Sequence, residues 1–159
     1  MQRPGWNAVL LCLLCAFCST GCDTNDPNDE IQVSIQDILI GEGAVAEGNK
    51  IVTVEYTGRL ISGDIFDTTH ADDREPLSFQ LETGLVEDDP QGGQVIDGFI
   101  QGVPGMQVGG IRRITVPPQL AWGSRGAGCE PENPNDCIIP PNSTLLFEIE
   151  LIAVREVEL

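Results

Sequence analysis

From residue 31 onward the chain alternates apolar and polar positions with the two-residue period of a β-strand. Ile31, Val33 and Ile35 alternate with Gln32, Ser34 and Gln36, which predicts a half-buried strand closed by Gly41-Glu42-Gly43. Val52, Val54 and Tyr56 alternate with Thr53, Glu55 and Thr57, so Tyr56 shares the core-facing side, and Ser62-Gly63-Asp64 turns the chain into Ile65-Phe66-Asp67. Leu77, Phe79 and Leu81 repeat the pattern in a short strand, followed by an acidic, glycine-rich loop over 87–93. One segment has a different period. Ile96, Phe99, Ile100 and Val103 fall at helical spacing, with Asp97 near the start, where the helix dipole favours an anion, and Pro104-Gly105 as the stop. Strands over 111–116 and 145–154 complete the pattern; the second puts Leu145, Phe147, Ile149 and Leu151 on one face and Glu148 and Glu150 on the other. Many strands with one short helix predict an α+β fold.

Before residue 31 the pattern breaks. Residues 1–7 carry Arg3 as their only basic side chain, and 8–17 are apolar, too short a run to span a bilayer with ease but right for the hydrophobic region of a signal peptide. Ser19-Thr20-Gly21 then leads into Cys22, which resembles a bacterial lipobox, whose cysteine is lipidated and becomes the first residue of the mature protein. Ser19 stands where such motifs usually carry leucine, and an ordinary secretory signal or an uncleaved anchor is the alternative. Residues 23–30 are too polar to pack and lack the glycine and closing glutamate of a calcium loop, so they read as a linker. The expected organisation is a signal peptide over 1–21, an acidic tether over 22–30 and one folded domain over 31–159. The expected location is outside the cytoplasm, lipid-anchored to a bacterial membrane at its periplasmic face or at the cell surface.

Composition narrows the partners. A chain of 159 residues with a formal net charge of -17 is unsuited to nucleic acid, whose phosphates reward Lys and Arg, and to adsorption on anionic lipid. Of six cysteines, Cys12, Cys15 and Cys18 lie in the segment to be removed and Cys22 takes the lipid. Cys129 and Cys137 remain, and in an oxidising compartment such a pair reads as a disulfide. A zinc site needs more ligands than these two thiols and His70, the single histidine, supply, so no metal is expected.

The motifs that carry chemistry lie between residues 56 and 141. In Ile138-Ile139-Pro140-Pro141 the two prolines fix φ twice and forbid helix, holding the apolar pair extended before the last strand. Upstream stand Tyr56-Thr57-Gly58, the Phe66-Asp67 pair, Val95-Ile96-x-Gly98-Phe99, Met106-x-Val108-Gly109 and Pro118-x-x-Ala121-Trp122-Gly123. Each alone is a weak signal, but all six in this order make residues 50–154 similar to the FKBP-type peptidyl-prolyl cis-trans isomerases. The resemblance implies a five- to six-stranded antiparallel sheet wrapped around the helix, no cofactor, and proline-containing unfolded or folding polypeptides as partners. It also implies binding of tacrolimus and rapamycin.

Carried over position by position, the resemblance makes Phe99 the floor under the proline ring, where many relatives have tryptophan. It makes Tyr56, Phe66, Val95, Ile96 and Phe147 the walls, and puts Leu77 where phenylalanine is common. Ile138 and Ile139 would sit at the rim, with the Ile139 amide donating to a substrate carbonyl, and Asp67 would polarise the site. Asp67 is not a general base, because no proton leaves the substrate. Trp122 departs from the tyrosine of relatives; its indole N–H donates but reaches differently. Phe79 is expected in the core beside the pocket. The function expected is X-Pro isomerisation in exported proteins by a dry aromatic pocket. The alternative is a proline-peptide-binding chaperone module without significant turnover.

Overall fold

The computed structural model describes residues 31–157 apart from 72–73 and 131–132. The expected signal peptide, the lipidation site Cys22 and the tether lie outside the described residues. The elements in chain order are β1 (Ser34–Leu39), β2 (Lys50–Leu60), β3 (Ile65–Thr68), β4 (Leu77–Gln80), α1 (Asp97–Gly102) and β5 (Ile111–Val116). Two 3-10 turns (Pro118–Leu120 and Gly123–Arg125), β6 (Ala127–Glu130), β7 (Asn133–Ile139) and β8 (Leu145–Glu156) follow.

Two long strands form the spine. β2 and β8 pair antiparallel from Lys50↔Glu156 to Leu60↔Leu145, with a bulge between Thr53 and Val54. The sheet runs β1-β5-β8-β2-β3, with β4 also pairing β2, and every pairing is antiparallel. This is the expected α+β architecture with six strands. α1 packs on one face of the sheet, and two glycines allow it to. A Cβ on Gly98 would meet Val116 at 2.5 Å, and one on Gly102 would meet Ile114 at 2.9 Å. These positions are four apart, hence on one side of the helix, and their bareness lets α1 lie close to β5. Leu145, Phe147, Ile149 and Leu151 are all buried beneath it, as their alternation predicts.

One expectation changes. The strand expected to be half-buried near Ile31, Val33 and Ile35 is β1, and all six of its residues are exposed. β1 is the last strand of the sheet and the six-residue helix does not extend over it, so alternation alone does not bury Ile35. Tyr56 lies within β2, which continues to Leu60. After the second 3-10 turn, β6 pairs with β7, and Cys129 faces Cys137 across the ladder and is bonded to it, as expected of that pair.

Candidate active site

A cavity of about 190 Å³ opens between the start of α1, the β2–β3 arm of the sheet and the segment after β5. Each side chain reaches it for a local reason. Tyr56 comes from the middle of β2, Phe66 and Asp67 from β3, Leu77 from β4 and Phe147 from β8. Phe99 comes from the first turn of α1 and Ile96 from the extended residue just before it, Trp122 from between the two 3-10 turns, and Val86, Gln94 and Val95 from the β4–α1 connection. Gly58 makes the arrangement possible. A Cβ there would lie 2.6 Å from the Phe66 ring and 2.9 Å from that of Phe147, so the bare strand lets two rings rest on it.

The rings form a continuous edge-to-face array, the geometry their quadrupoles favour. Phe99 is its centre, 5.0 Å from Phe147, 5.4 Å from Tyr56 and 6.1 Å from Phe79 between centroids. Phe66 continues it, 5.6 Å from Phe147 and 6.2 Å from Trp122. Phe79 is fully buried and does not line the cavity; it supports Phe99 from behind. The floor is therefore rigid, because Phe99 is only 3% exposed and held on three sides.

The polar groups of the cavity are nearly all committed to one another. The Tyr56 hydroxyl donates to Asp67 Oδ2 at 2.5 Å, while Asp67 Oδ1 accepts from the Thr68 amide at 3.0 Å and pairs with Arg74 at 3.3 Å. Burial raises the Tyr56 pKa above its ordinary value of 10.0, and the bond to Asp67 and its charge raise it further against a smaller opposing effect of Arg74. Tyr56 is thus a neutral phenol at any physiological pH. Its backbone is fixed by the end of β3: the Tyr56 amide donates to the Thr69 hydroxyl at 2.8 Å and its carbonyl accepts from the Thr69 amide at 3.0 Å. The indole N–H of Trp122 takes no hydrogen bond among the described residues.

Nine of the eleven expected site residues line the cavity: Tyr56, Phe66, Asp67, Leu77, Val95, Ile96, Phe99, Trp122 and Phe147. Ile138 and Ile139 do not. Neighbours on a strand point to opposite faces, so Ile139 turns into the core at 4% exposure and Ile138 turns outward at 62%. Two lining residues were not foreseen, Val86 and Gln94. Their place depends on how the β4–α1 connection folds back, with the Val86 amide bonded to the Gly93 carbonyl and an isolated bridge pairing Val86 with Phe79. The adjacency of Gln94 to Val95-Ile96 was the available signal.

Comparison with known proteins matches this geometry to one family. Residues 42–152 fit the family model of FKBP-type peptidyl-prolyl cis-trans isomerase. The chain is 40% identical over 122 residues to an FK506-binding protein of Neisseria meningitidis serogroup A, covering 77% of this chain and 95% of that one. It is 37% identical to the chloroplastic peptidyl-prolyl cis-trans isomerase FKBP13 of Arabidopsis thaliana, covering 73% of this chain and 52% of that one. The crystal structure of AtFKBP13 superposes with a TM-score of 0.61 at 34% identity, over 76% of this chain and 91% of that one. FkpA from Escherichia coli gives 0.60 at 33%, over 79% of this chain and 49% of that one. With the fold, the aromatic cavity and these matches in agreement, the chain belongs to the FKBP-type peptidyl-prolyl cis-trans isomerases.

Proposed function

We propose that the aromatic cavity is where the X-Pro bond turns, and that the enzyme acts on exported polypeptides from a lipid anchor at Cys22. The observation that carries the first part is the closed Tyr56–Asp67 pair beneath an otherwise apolar enclosure. Prolyl isomerisation needs no nucleophile and no proton transfer; its barrier, about 18–20 kcal/mol, is amide resonance. Water stabilises the planar, charge-separated amide more than the twisted one. Transfer into a dry cavity removes that ground-state advantage, and each 1.36 kcal/mol so gained is about tenfold in rate.

The side chains divide this work by position. Phe99 carries the proline ring, with Phe147 and Tyr56 against it. Phe66 and Trp122 close the outer side. Asp67 has its acceptor positions occupied by Tyr56, Thr68 and Arg74, so it sets the field of the cavity without taking a proton. The Trp122 N–H is the donor left for a substrate carbonyl, in place of the tyrosine hydroxyl of relatives. Leu77, Val95 and Ile96 offer no charge partner, which favours an apolar residue before proline. Relatives named as FK506-binding proteins support binding of tacrolimus and, with it, rapamycin at the same cavity.

Support for export is in the sequence: the apolar run 8–17, Ser19-Thr20-Gly21 before Cys22, and the oxidised Cys129–Cys137 pair in a protein that otherwise keeps no cysteine beyond Cys22. A panel of X-Pro peptides in a protease-free isomerisation assay tests the activity; apolar residues before proline should be turned over fastest, and tacrolimus should abolish the acceleration. Radiolabelled palmitate incorporation tests the anchor. Wild type should be labelled and Cys22→Ser should not, and equal membrane partitioning and processing of the two would remove the lipoprotein reading.

A further inference from the structure

The edge of the sheet carries a second apolar surface. β1 ends the strand order and, among the described residues, pairs with β5 alone, so one row of its backbone N–H and C=O groups faces outward. Such edges are usually blocked by proline, lysine or unpaired charge. Residues 31–40 contain no proline and no basic side chain, and their single charge, Asp37, is neutralised by the buried Arg112, whose Nε donates to it at 2.5 Å. Arg112 Nη1 also donates to the Gly102 and Pro104 carbonyls at 2.9 Å each, tying β1 to the exit of α1. Ile31, Ile35, Ile38, Leu39 and Ile40 are between 45% and 72% exposed. A groove of about 470 Å³ runs beside the first two of them, with Ile31, Gln32, Val33 and Ile35 on one side and Ile100, Gln101 and Pro104 on the other, and no charged residue lines it.

We propose that this edge and groove hold an extended apolar segment of the same polypeptide whose X-Pro bond occupies the aromatic cavity. The proposal rests on the cavity being the substrate site. Both clefts share α1: Phe99 faces the cavity, and its neighbours Ile100 and Gln101 face the groove. A helix is about 10–12 Å across with its side chains. An extended chain advancing about 3.3 Å per residue therefore passes from one cleft to the other in roughly three to four residues. An unfolded polypeptide brings both the N–H and C=O groups that an open edge lacks and the apolar side chains that the groove accepts. A lipid surface fits less well, because unpaired edge groups are costly in hydrocarbon. A second copy fits less well too, because each copy carries a formal charge of -17 and long-range repulsion opposes their approach.

The test compares the full-length wild type with the double variant Ile35→Lys, Leu39→Lys, whose sites are exposed and remote from the cavity; circular dichroism checks that the variant folds. The substrates are a peptide of about four residues with one X-Pro bond, and the same sequence extended on each side by apolar residues to about sixteen. Attachment at two points makes the second contact intramolecular, so wild type should turn over the long peptide with a KM lower by about tenfold. In the variant that advantage should vanish while the short peptide is turned over as before. An advantage absent from wild type, or retained by the variant, overturns the proposal. If neither protein accelerates even the short peptide, the cavity reading fails. Fluorescence anisotropy of the labelled long peptide then decides the edge: binding weakened about tenfold by the variant supports it, and equal binding overturns it. Sedimentation showing a dimer that the variant dissolves, or binding to phosphatidylcholine vesicles that the variant loses, assigns the edge to another occupant and also overturns it.

Discussion

Phe99 and Phe79 offer a paired perturbation in which stability and catalysis should separate. Both rings are buried, at 3% and 0% exposure, and their centroids lie 6.1 Å apart, yet Phe99 lines the cavity and Phe79 does not. Truncating a buried phenylalanine to alanine typically costs about 3–5 kcal/mol. Phe99→Ala belongs near the upper end, because it also breaks edge-to-face contacts with Phe147, Tyr56 and Phe79, each worth roughly 0.5–1.5 kcal/mol beyond area burial. Urea denaturation should show a loss of about 4–5 kcal/mol for Phe99→Ala and about 3–4 kcal/mol for Phe79→Ala. Catalysis should divide them. If two to three methylenes of the proline ring rest on Phe99, their loss at about 0.8 kcal/mol each removes about 2 kcal/mol of transition-state binding, or roughly 30-fold in kcat/KM. Phe79→Ala should stay within about threefold of wild type, since it touches the substrate only through Phe99. Both are to be assayed near 10 °C, where the variants remain folded and the uncatalysed reaction takes minutes. Equal losses of activity in two folded variants would show that general loosening, and not the loss of the floor, controls turnover. A destabilisation under about 2 kcal/mol for Phe99→Ala would refute the packing itself.

Three further outcomes follow from the same geometry. Tyr56→Phe removes the donor to Asp67 Oδ2 but leaves the Thr68 amide and Arg74 in place, so chemical denaturation should show a loss of about 1 kcal/mol; a loss above about 3 kcal/mol would mean Asp67 has no other support. Because the folded protein holds the Tyr56 proton more tightly than the unfolded chain does, that stabilisation is complete below about pH 10 and declines as pH rises beyond it towards the folded value. Urea midpoints across the alkaline range should therefore fall less steeply in Tyr56→Phe than in wild type, and identical slopes would contradict the assignment. Cys129 and Cys137 close a ring with a sequence separation of 8, so the chain-entropy gain is at most about 2.5 kcal/mol; reduction should lower Tm modestly and leave the far-ultraviolet spectrum of the main sheet intact, and global unfolding on reduction would be the contrary result.

What the sequence revealed depended on whether local pattern and tertiary environment agreed. In 145–154 each strand face meets a different medium, the α1 side apolar and the other open, so alternation reported burial faithfully. Residues 31–36 carry the same alternation without the same outcome, because burial at a sheet edge requires a neighbour that the pattern does not encode. Tyr56-Thr57-Gly58 was recognisable as a motif, but the reason for its glycine was not: only the packing shows Phe66 and Phe147 resting where a Cβ would stand. The pairing of β6 with β7 was hidden by the proline, asparagine and aspartate of 133–136, which read locally as loop while cross-strand pairing and the disulfide hold the strand extended. Val86 and Gln94 were missed for a related reason, since a long connection folding back on itself leaves no periodic trace. Ile138 and Ile139 carry a strong local signal that does not separate them, whereas the strand's own alternation sends one inward and one outward.

The central claim is that the aromatic cavity catalyses rotation about X-Pro bonds. Two-dimensional exchange spectroscopy on one apolar-X-Pro peptide tests it most directly, because it reads cis–trans interconversion without a coupled protease. Substoichiometric protein should produce exchange cross-peaks at mixing times far shorter than the uncatalysed interconversion, which takes tens to hundreds of seconds, and tacrolimus should erase them. Line broadening that reports peptide binding at saturating protein, with interconversion still at the uncatalysed rate, would contradict the account and make the cavity a proline-peptide-binding site without turnover.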